Sequence, residues 1–345
     1  MIARICCVLI LGAAILGTPS VLAATVLYTS DFTSGAGWTV NLPTFGPGVA
    51  TNPYQEATFG FDYSAFGIPA APGSADTVGL RLRANIPGGP AAPVTTSPLQ
   101  LRSGLSVSPT GKNFGVNYKA EFYVWSNFNG SPNAQGIGDG HLSEGGSNNI
   151  VMAIGTSGTV PLTIGTPWAQ MDGIGFTATN DGISVTADYA VYPKIPFASF
   201  NSAYYAAGGT DSSLPYYQSL FGSHAAPAIQ QALATAEYPG DAFNTQAGMT
   251  EPGAFGFAWR KVVLTKLNGI VTWDVDDTRI ATYDASALTL GGANIGLGLV
   301  DPYDYATRHP SLLFTVFDNL TVTGIPEPSS ALLLLMGLVG VLARR

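Results

Sequence analysis

The stretch WRKVVLTKLNGIVTWDVDDTRIAT, residues 259–282, decides the reading of the fold. Trp259 to Leu267 reads as a strand, Asn268-Gly269 as a tight turn and Ile270 to Val275 as its partner. Asn-Gly is suited to a two-residue hairpin because both of its residues accept positive φ. Asp276-Asp277 turns the chain again, and Arg279 to Tyr283 continues as a third strand.

Working outward, the same spacing recurs. Downstream, Asn294 to Val300 and Leu312 to Phe317 read as strands, and Asp318-Asn319-Leu320-Thr321-Val322 closes the series. Upstream, Gly79 to Asn85 alternates apolar and polar side chains with the period of a half-buried strand. Leu105 to Pro109, Tyr118 to Trp125 and Ile150 to Gly155 follow, and Gly173–Thr179 with Gly182–Tyr192 predicts a hairpin across Asn180-Asp181-Gly182. Thr25 to Phe32 and Trp38 to Val40 open the body, and 57–73 is aromatic and rich in turn residues. Many short strands at hairpin spacing imply an all-β chain folded as an antiparallel two-sheet sandwich. Residues 192–253 break the pattern, with Tyr204, Tyr205, Tyr216, Tyr217, Phe221 and a short helical segment over 228–236. This stretch has too few apolar residues to own a core, so it reads as an insertion folded onto the sandwich. The Gly-, Ser- and Asn-rich stretch 126–149 reads as a long loop, a length that is usually functional.

The hairpin stretch resembles the paired hairpins of laminin-G and concanavalin A-like sandwiches. Trp273, Val275, Asp276 and Ile280 match that pattern, while Asp277 stands where glycine is usual. Asp318 to Val322 matches the final strand common in such domains. The resemblance implies a concanavalin A-like jelly roll whose members mostly bind glycans, some being enzymes, often with one structural calcium ion near the chain ends. Asp31 and Asp318, both at ends of terminal strands, are the residues for such an ion.

The two ends carry addresses. Arg4, the apolar run Ile5 to Leu16, the breakers Gly17 and Pro19 and the short residues Val21 to Ala23 have the layout of a secretory signal, 1–23, removed by signal peptidase after Ala23 or Ala24. A retained N-terminal anchor is the alternative. At the other end, 325–345 carries Pro326-Glu327-Pro328, an apolar block from Ala331 to Ala343 and then Arg344-Arg345. A helix of that block is about 20 Å long, short of a hydrocarbon core of about 30 Å, so it reads as a transient membrane stop. The tail resembles the PEP-CTERM sorting tail of Gram-negative bacteria. That resemblance implies cleavage by an exosortase and delivery to the cell surface or extracellular polysaccharide matrix. A simple C-terminal anchor is the alternative.

Composition sets limits on the body, 24–324. The chain has 14 Lys+Arg against 22 Asp+Glu. Setting aside Arg4, Arg344 and Arg345 and the acid Glu327 leaves 11 against 21, near −10. Such a body has no basic patch to neutralise phosphates, which argues against a nucleic-acid partner. Both cysteines, Cys6 and Cys7, lie in the signal, so the mature body forms neither disulfide nor thiolate metal site. His141, His224 and His309 are far apart and show no metal-ligand spacing.

Catalytic signatures are weak. Glycoside hydrolysis needs two carboxylates about 5–9 Å apart. Asp274 and Asp276 are the best pair, aligned on one strand face but ending in a turn, while Glu121 has no acid two or four residues on. No Gly-x-Ser-x-Gly, P-loop or dinucleotide fingerprint occurs. The expectation is therefore a non-enzymatic sandwich that binds polysaccharide through exposed rings, with Trp125 and Asn127, Trp168, Tyr205, Tyr216 and Tyr217 as candidates. Adjacent tyrosines on an extended segment point opposite ways, which exposes one of each pair. A structural matrix protein acting by protein contacts and a glycan hydrolase or lyase are the rival readings.

Overall fold

The structure, a computed structural model, describes residues 24–43, 55–84, 103–128, 149–164, 170–180, 188–194, 199, 201–237, 246, 249–301 and 310–326. The predicted signal, the sorting tail beyond Pro326, Trp168 and most of the predicted loop 126–149 lie outside these residues. Among the described residues no helix is long and apolar enough to cross a membrane. Contacts make Thr25–Ile325 one compact body.

The body is an antiparallel two-sheet sandwich. The larger sheet runs β12 (Thr278–Asp284), β11 (Ile270–Val275), β10 (Trp259–Leu267), β6 (Tyr118–Asn127), β14 (Phe314–Gly324), β4 (Val78–Arg83), β3 (Glu56–Asp62). A further strand, β1 (Thr25–Ser30), pairs with the C-terminal half of β14, whose N-terminal half holds β4. The smaller sheet runs β2 (Trp38–Asn41), β5 (Ser103–Pro109), β13 (Asn294–Asp301), β7 (Asn149–Thr156), β8 (Ile174–Thr179), β9 (Tyr189–Pro193).

The 259–282 stretch folds as its sequence predicts. Leu267 pairs with Ile270 across Asn268 (φ 51) and Gly269 (φ 82), and Val275 pairs with Thr278 across Asp276 (φ 48) and Asp277 (φ 61). The second turn thus keeps the primed hairpin geometry without glycine, since Asp tolerates the left-handed region better than most side chains. Asp276 is fixed by its neighbour strand: its carboxylate accepts from Lys261 N–H at 2.9 Å.

Alternate residues of these strands fill the interior. Trp273, Phe176 and Tyr189 are fully or almost fully buried and meet with ring centroids 5.3 and 5.9 Å apart. The insertion adds to this core, because Tyr205, Tyr217 and Phe221 are buried in the same cluster. Its described residues include two α-helices, α1 (Pro215–Phe221) and α2 (Ile229–Glu237).

Two expectations change. Tyr216 and Tyr217 lie on α1, not on an extended segment; Pro215 starts the helix at the position where a missing N–H costs nothing. The β8–β9 hairpin forms, Ala178 pairing with Tyr189 and Thr179 N–H donating to Asp188 O, while Asp181-Gly182 of the expected turn lie outside the described residues. The aromatic stretch 57–73 contributes a full strand, β3, bulged between Thr58 and Phe61, before a 3-10 turn over Tyr63–Phe66.

Candidate functional site

The rings predicted to meet sugar are mostly interior. Trp125 is 5 % exposed and Asn127 fully buried. The Asn127 amide donates to Leu312 O at 2.6 Å and exchanges hydrogen bonds with the Gln230 amide, so it anchors α2 instead of facing ligand. Tyr205 is buried; its hydroxyl donates to Ser199 O and accepts from Val191 N–H, and burial pushes it up to about 12. Tyr217 is fully buried, its hydroxyl donating to Gly209 O at 2.9 Å. Tyr216 is half-buried, and its hydroxyl donates to Arg279 O at 2.6 Å. Burial is the reason: α1 turns Tyr217 onto Tyr189, with ring centroids 4.2 Å apart, and the rings close the core edge.

The two sheets differ in what their outer faces offer. Every residue of β5, β7, β8 and β13 is buried, although only alternate ones face the core. Their other side carries Ser106, Gly296, Gly298, Ala153 and Gly175 beside Val151 and Val300. The segment that follows β7 closes on it: a methyl placed on Gly296 would lie 2.6 Å from Leu162 Cδ1, and one on Gly175 would strike the Met171 sulfur. That face is filled.

The outer-face side chains of β12, β11, β10 and β6 from Thr282 to Tyr123 are exposed or half-exposed. Register sets its side chains in rows across the strands. Thr282, Thr272, Thr265 and Lys119 form one row, closed by Thr323 of β14. Arg279, Asp274, Val263 and Glu121 form the next, and Lys261 and Tyr123 a third. Tyr123 is half-buried and lies between Lys261 and Asp318. A fourth row, Trp259 and Trp125, is roofed by the 3-10 turn, with Tyr63 and Trp259 centroids 5.3 Å apart and the Trp259 indole N–H on Pro69 O.

Charges on this face are mutually neutralised. Lys119 and Lys261 lie 3.6 and 3.7 Å from the Glu121 carboxylate, Lys261 also reaches Asp277 at 2.9 Å, and Arg279 pairs with Asp274. The Asp277 partner raises the Lys261 ammonium above its ordinary range, the hydrogen bond outweighing the cost of burial. Beneath the turn, Arg260 is 5 % exposed and sits over the Phe221 ring at 4.7 Å, with Asp276 3.3 Å away. Burial lowers that guanidinium, and Asp276 opposes the shift.

The acids considered for chemistry do not converge. Asp274 is held by Arg279 and Thr272, whereas Asp276 is held by Lys261 N–H and Arg260. Asp31 is exposed and accepts from the Thr33 amide and hydroxyl. Asp318 is fully buried and accepts from the Tyr63 hydroxyl at 2.9 Å and Asn319 N–H at 2.7 Å. Among the described residues no group of three or more His, Asp or Glu side chains is arranged to hold a metal ion.

Tyr123, Thr265 and Thr272 escaped the sequence reading as site residues. Their signal was present: alternation within Tyr118–Trp125 puts Lys119, Glu121 and Tyr123 on one face. Only the burial of the opposite face says that this one is open.

No protein-family model and no curated protein matches the chain. Solved structures of similar layout exist at low identity. The exoplasmic/lumenal domain of VIP36 in its Ca2+/Man-bound form has 7 % identity and a TM-score of 0.39, over 89 % of this chain and 91 % of that one. The laminarinase of Rhodothermus marinus has 11 % identity and a TM-score of 0.41, over 88 % and 99 %. A Bacillus subtilis protein of unknown function with a galectin-like fold has 9 % identity and a TM-score of 0.36, over 88 % and 98 %.

Proposed function

We propose that this chain is an exported, non-catalytic sandwich that binds polysaccharide in the cell envelope or extracellular matrix through the outer face of its larger sheet. The observation that carries the reading is Tyr123: a half-exposed ring on the outer face of β6, beside Lys261 of β10 and two residues from Glu121 on the same face. An aromatic face stacks on the C–H face of a sugar, and hydroxyl and charged groups beside it bond the sugar hydroxyls. Retardation of the protein in native gels containing envelope or matrix polysaccharide tests this. Tyr123→Ala is expected to weaken binding about ten-fold, in keeping with the worth of one ring contact. No binding to any such polysaccharide overturns it.

Pairing of Asp274 with Arg279 and of Asp276 with Arg260 supports the non-catalytic part, since neither carboxylate is placed opposite the other. Release of reducing ends from a bound polysaccharide, lost in Asp274→Asn, would overturn it. The filled outer face of the smaller sheet favours a second reading, a structural matrix protein acting by protein contacts.

The terminal motifs support export with signal peptidase and an exosortase as processing partners. Intact mass of protein recovered from cells is expected to begin at Ala24 or Thr25 and to lack Arg344-Arg345. A full-length mass overturns this part and leaves the binding reading untouched.

A further inference from the structure

We propose that Asn268 is a site of spontaneous deamidation, and that Asn117 holds the reaction in check by keeping the β10–β11 turn closed.

The chemistry belongs to the exposed pair Asn268-Gly269. The backbone nitrogen of Gly269 attacks the side-chain carbonyl carbon of Asn268. A new C–N bond closes a five-membered imide ring, and the bond from that carbon to the side-chain nitrogen breaks. The leaving nitrogen takes up the proton of the Gly269 amide and departs as ammonia. Water then adds across one of the two carbonyl C–N bonds of the ring. Opening one bond gives aspartate; opening the other gives isoaspartate, whose main chain runs through Cβ and is one carbon longer. Nothing but water is consumed, and glycine at 269 puts no side chain in the way of the attacking nitrogen.

The closed turn opposes the attack. Asn268 has φ 51 and Gly269 φ 82, the two central positions of a type I′ turn. The first of these has a ψ of about +30°. At that angle the Gly269 nitrogen lies across the Cα–C bond from Cβ, whereas the imide ring needs the two nearly eclipsed. Ring closure therefore requires the turn to open.

Three hydrogen bonds hold it shut. Asn268 N–H donates to Asn117 Oδ1 at 2.8 Å, and Asn117 Nδ2 donates back to Asn268 Oδ1 at 3.3 Å. The second bond restrains the carboxamide that would react. Ala285 N–H donates to Gly269 O at 2.8 Å. Asn117 is itself fixed: it is 7 % exposed, and its backbone oxygen accepts from Ile325 N–H at 3.0 Å, where β6 begins and β14 ends. The latch is thus anchored in the body of the sheet and grips the tip of the hairpin. Its failure would be irreversible, because an isoaspartate lengthens the chain between Leu267 and Ile270, the pair whose spacing sets the β10–β11 register.

The test follows protein recovered from cells during incubation at mildly alkaline pH. Tryptic peptide 267–279 holds Asn268 as its one amide side chain, so mass spectrometry with chromatographic separation of isoaspartate reports this site alone. The other Asn-Gly pair, Asn129-Gly130, lies outside the described residues and in a different tryptic peptide. In the folded protein, deamidation at Asn268 is expected to run at least about ten-fold more slowly than in urea, since the rate follows the population of the open turn. Asn117→Ala removes two of the three hydrogen bonds and is expected to speed the folded reaction about ten-fold. Asn117→Asp keeps the acceptor for Asn268 N–H, loses the donor and is expected to fall between; it decides the matter if circular dichroism shows Asn117→Ala to be unfolded. No deamidation of 267–279 even in urea overturns the site. A folded wild type that reacts as fast as the unfolded chain overturns the protection, and folded Asn117 variants that react at the wild-type rate overturn the role of Asn117.

Discussion

Asp318 shows how a single position can carry more than its sequence pattern says. Its place in a closing Asp-Asn-Leu-Thr-Val strand made it a candidate metal ligand, yet the carboxylate is enclosed with the Tyr63 hydroxyl and Asn319 N–H. Burial raises this carboxyl above its ordinary value of 3.8, the Tyr63 hydrogen bond opposing the shift only in part. A raised native pKa means that the folded state holds the proton more tightly than the unfolded chain. The group's contribution to stability is therefore greatest below 3.8 and declines as pH rises through the native value, above which it stays constant. Asp318→Asn cannot titrate. Calorimetric melts from pH 3 to 7 are expected to show wild type losing ground to this variant across the carboxylate range, then a constant difference. A difference independent of pH would show that Asp318 is not buried as an acid. Trp125, Asn127, Tyr205 and Tyr217 fail as surface residues for a related reason. Residue type identifies a ring or an amide that could meet a sugar, but only the packing of α1 and the 3-10 turn decides that these meet protein instead.

At the scale of elements, the two hairpins of 259–282 were legible in the sequence. Asn268-Gly269 set one register, and Asp276-Asp277 set the next by tolerating positive φ. What could not be read were elements whose identity depends on a partner. β3 carries Gly60 at φ 70 and a bulge, which hides its alternation, and it becomes a strand by pairing with β4. α1 has seven residues and no capping side chain, too little pattern to declare a helix. α2 was legible by pattern, but not its attachment. Asn127 and Gln230 exchange hydrogen bonds, and Gln246 donates to Gln230 Oε1 at 2.9 Å and to Phe128 O, tying α2 to the end of β6. Removing one member leaves the others buried without partners, which costs about 1–3 kcal/mol. Asn127→Ala is expected to lower stability by about 2–3 kcal/mol and to speed amide hydrogen exchange in 229–237 more than in β10 and β11. Equal acceleration everywhere would mean that the amides do not serve α2 in particular.

For the whole molecule, the question is whether the insertion folds with the sandwich or rides on it. Its side chains argue for the former. Phe221 is 2 % exposed, lies 5.7 Å from Tyr189 and 5.9 Å from Phe255, and carries the Arg260 guanidinium over its ring. Tyr189 in turn meets Trp273 in the centre of the sandwich. Arg260 also donates to the backbone oxygen of Phe221, so one of its acceptors and the ring beneath it come from the insertion. Opening the insertion would remove that acceptor and ring from the buried guanidinium and uncover Tyr189, a state that should not persist separately from global unfolding. The placement of tryptophans makes this testable. All five, Trp38, Trp125, Trp168, Trp259 and Trp273, lie outside 192–253, so their fluorescence reports the sandwich alone. Phe221→Ala removes a large buried ring from the insertion and is expected to cost about 3–5 kcal/mol. If the two parts form one cooperative unit, the urea midpoint seen by tryptophan fluorescence falls by the same amount as that seen by far-ultraviolet circular dichroism, in a single transition. If the insertion is a separate appendage, the change appears as an early transition in the dichroism and leaves the fluorescence midpoint where it was. The shared core and the buried Arg260 require the first outcome.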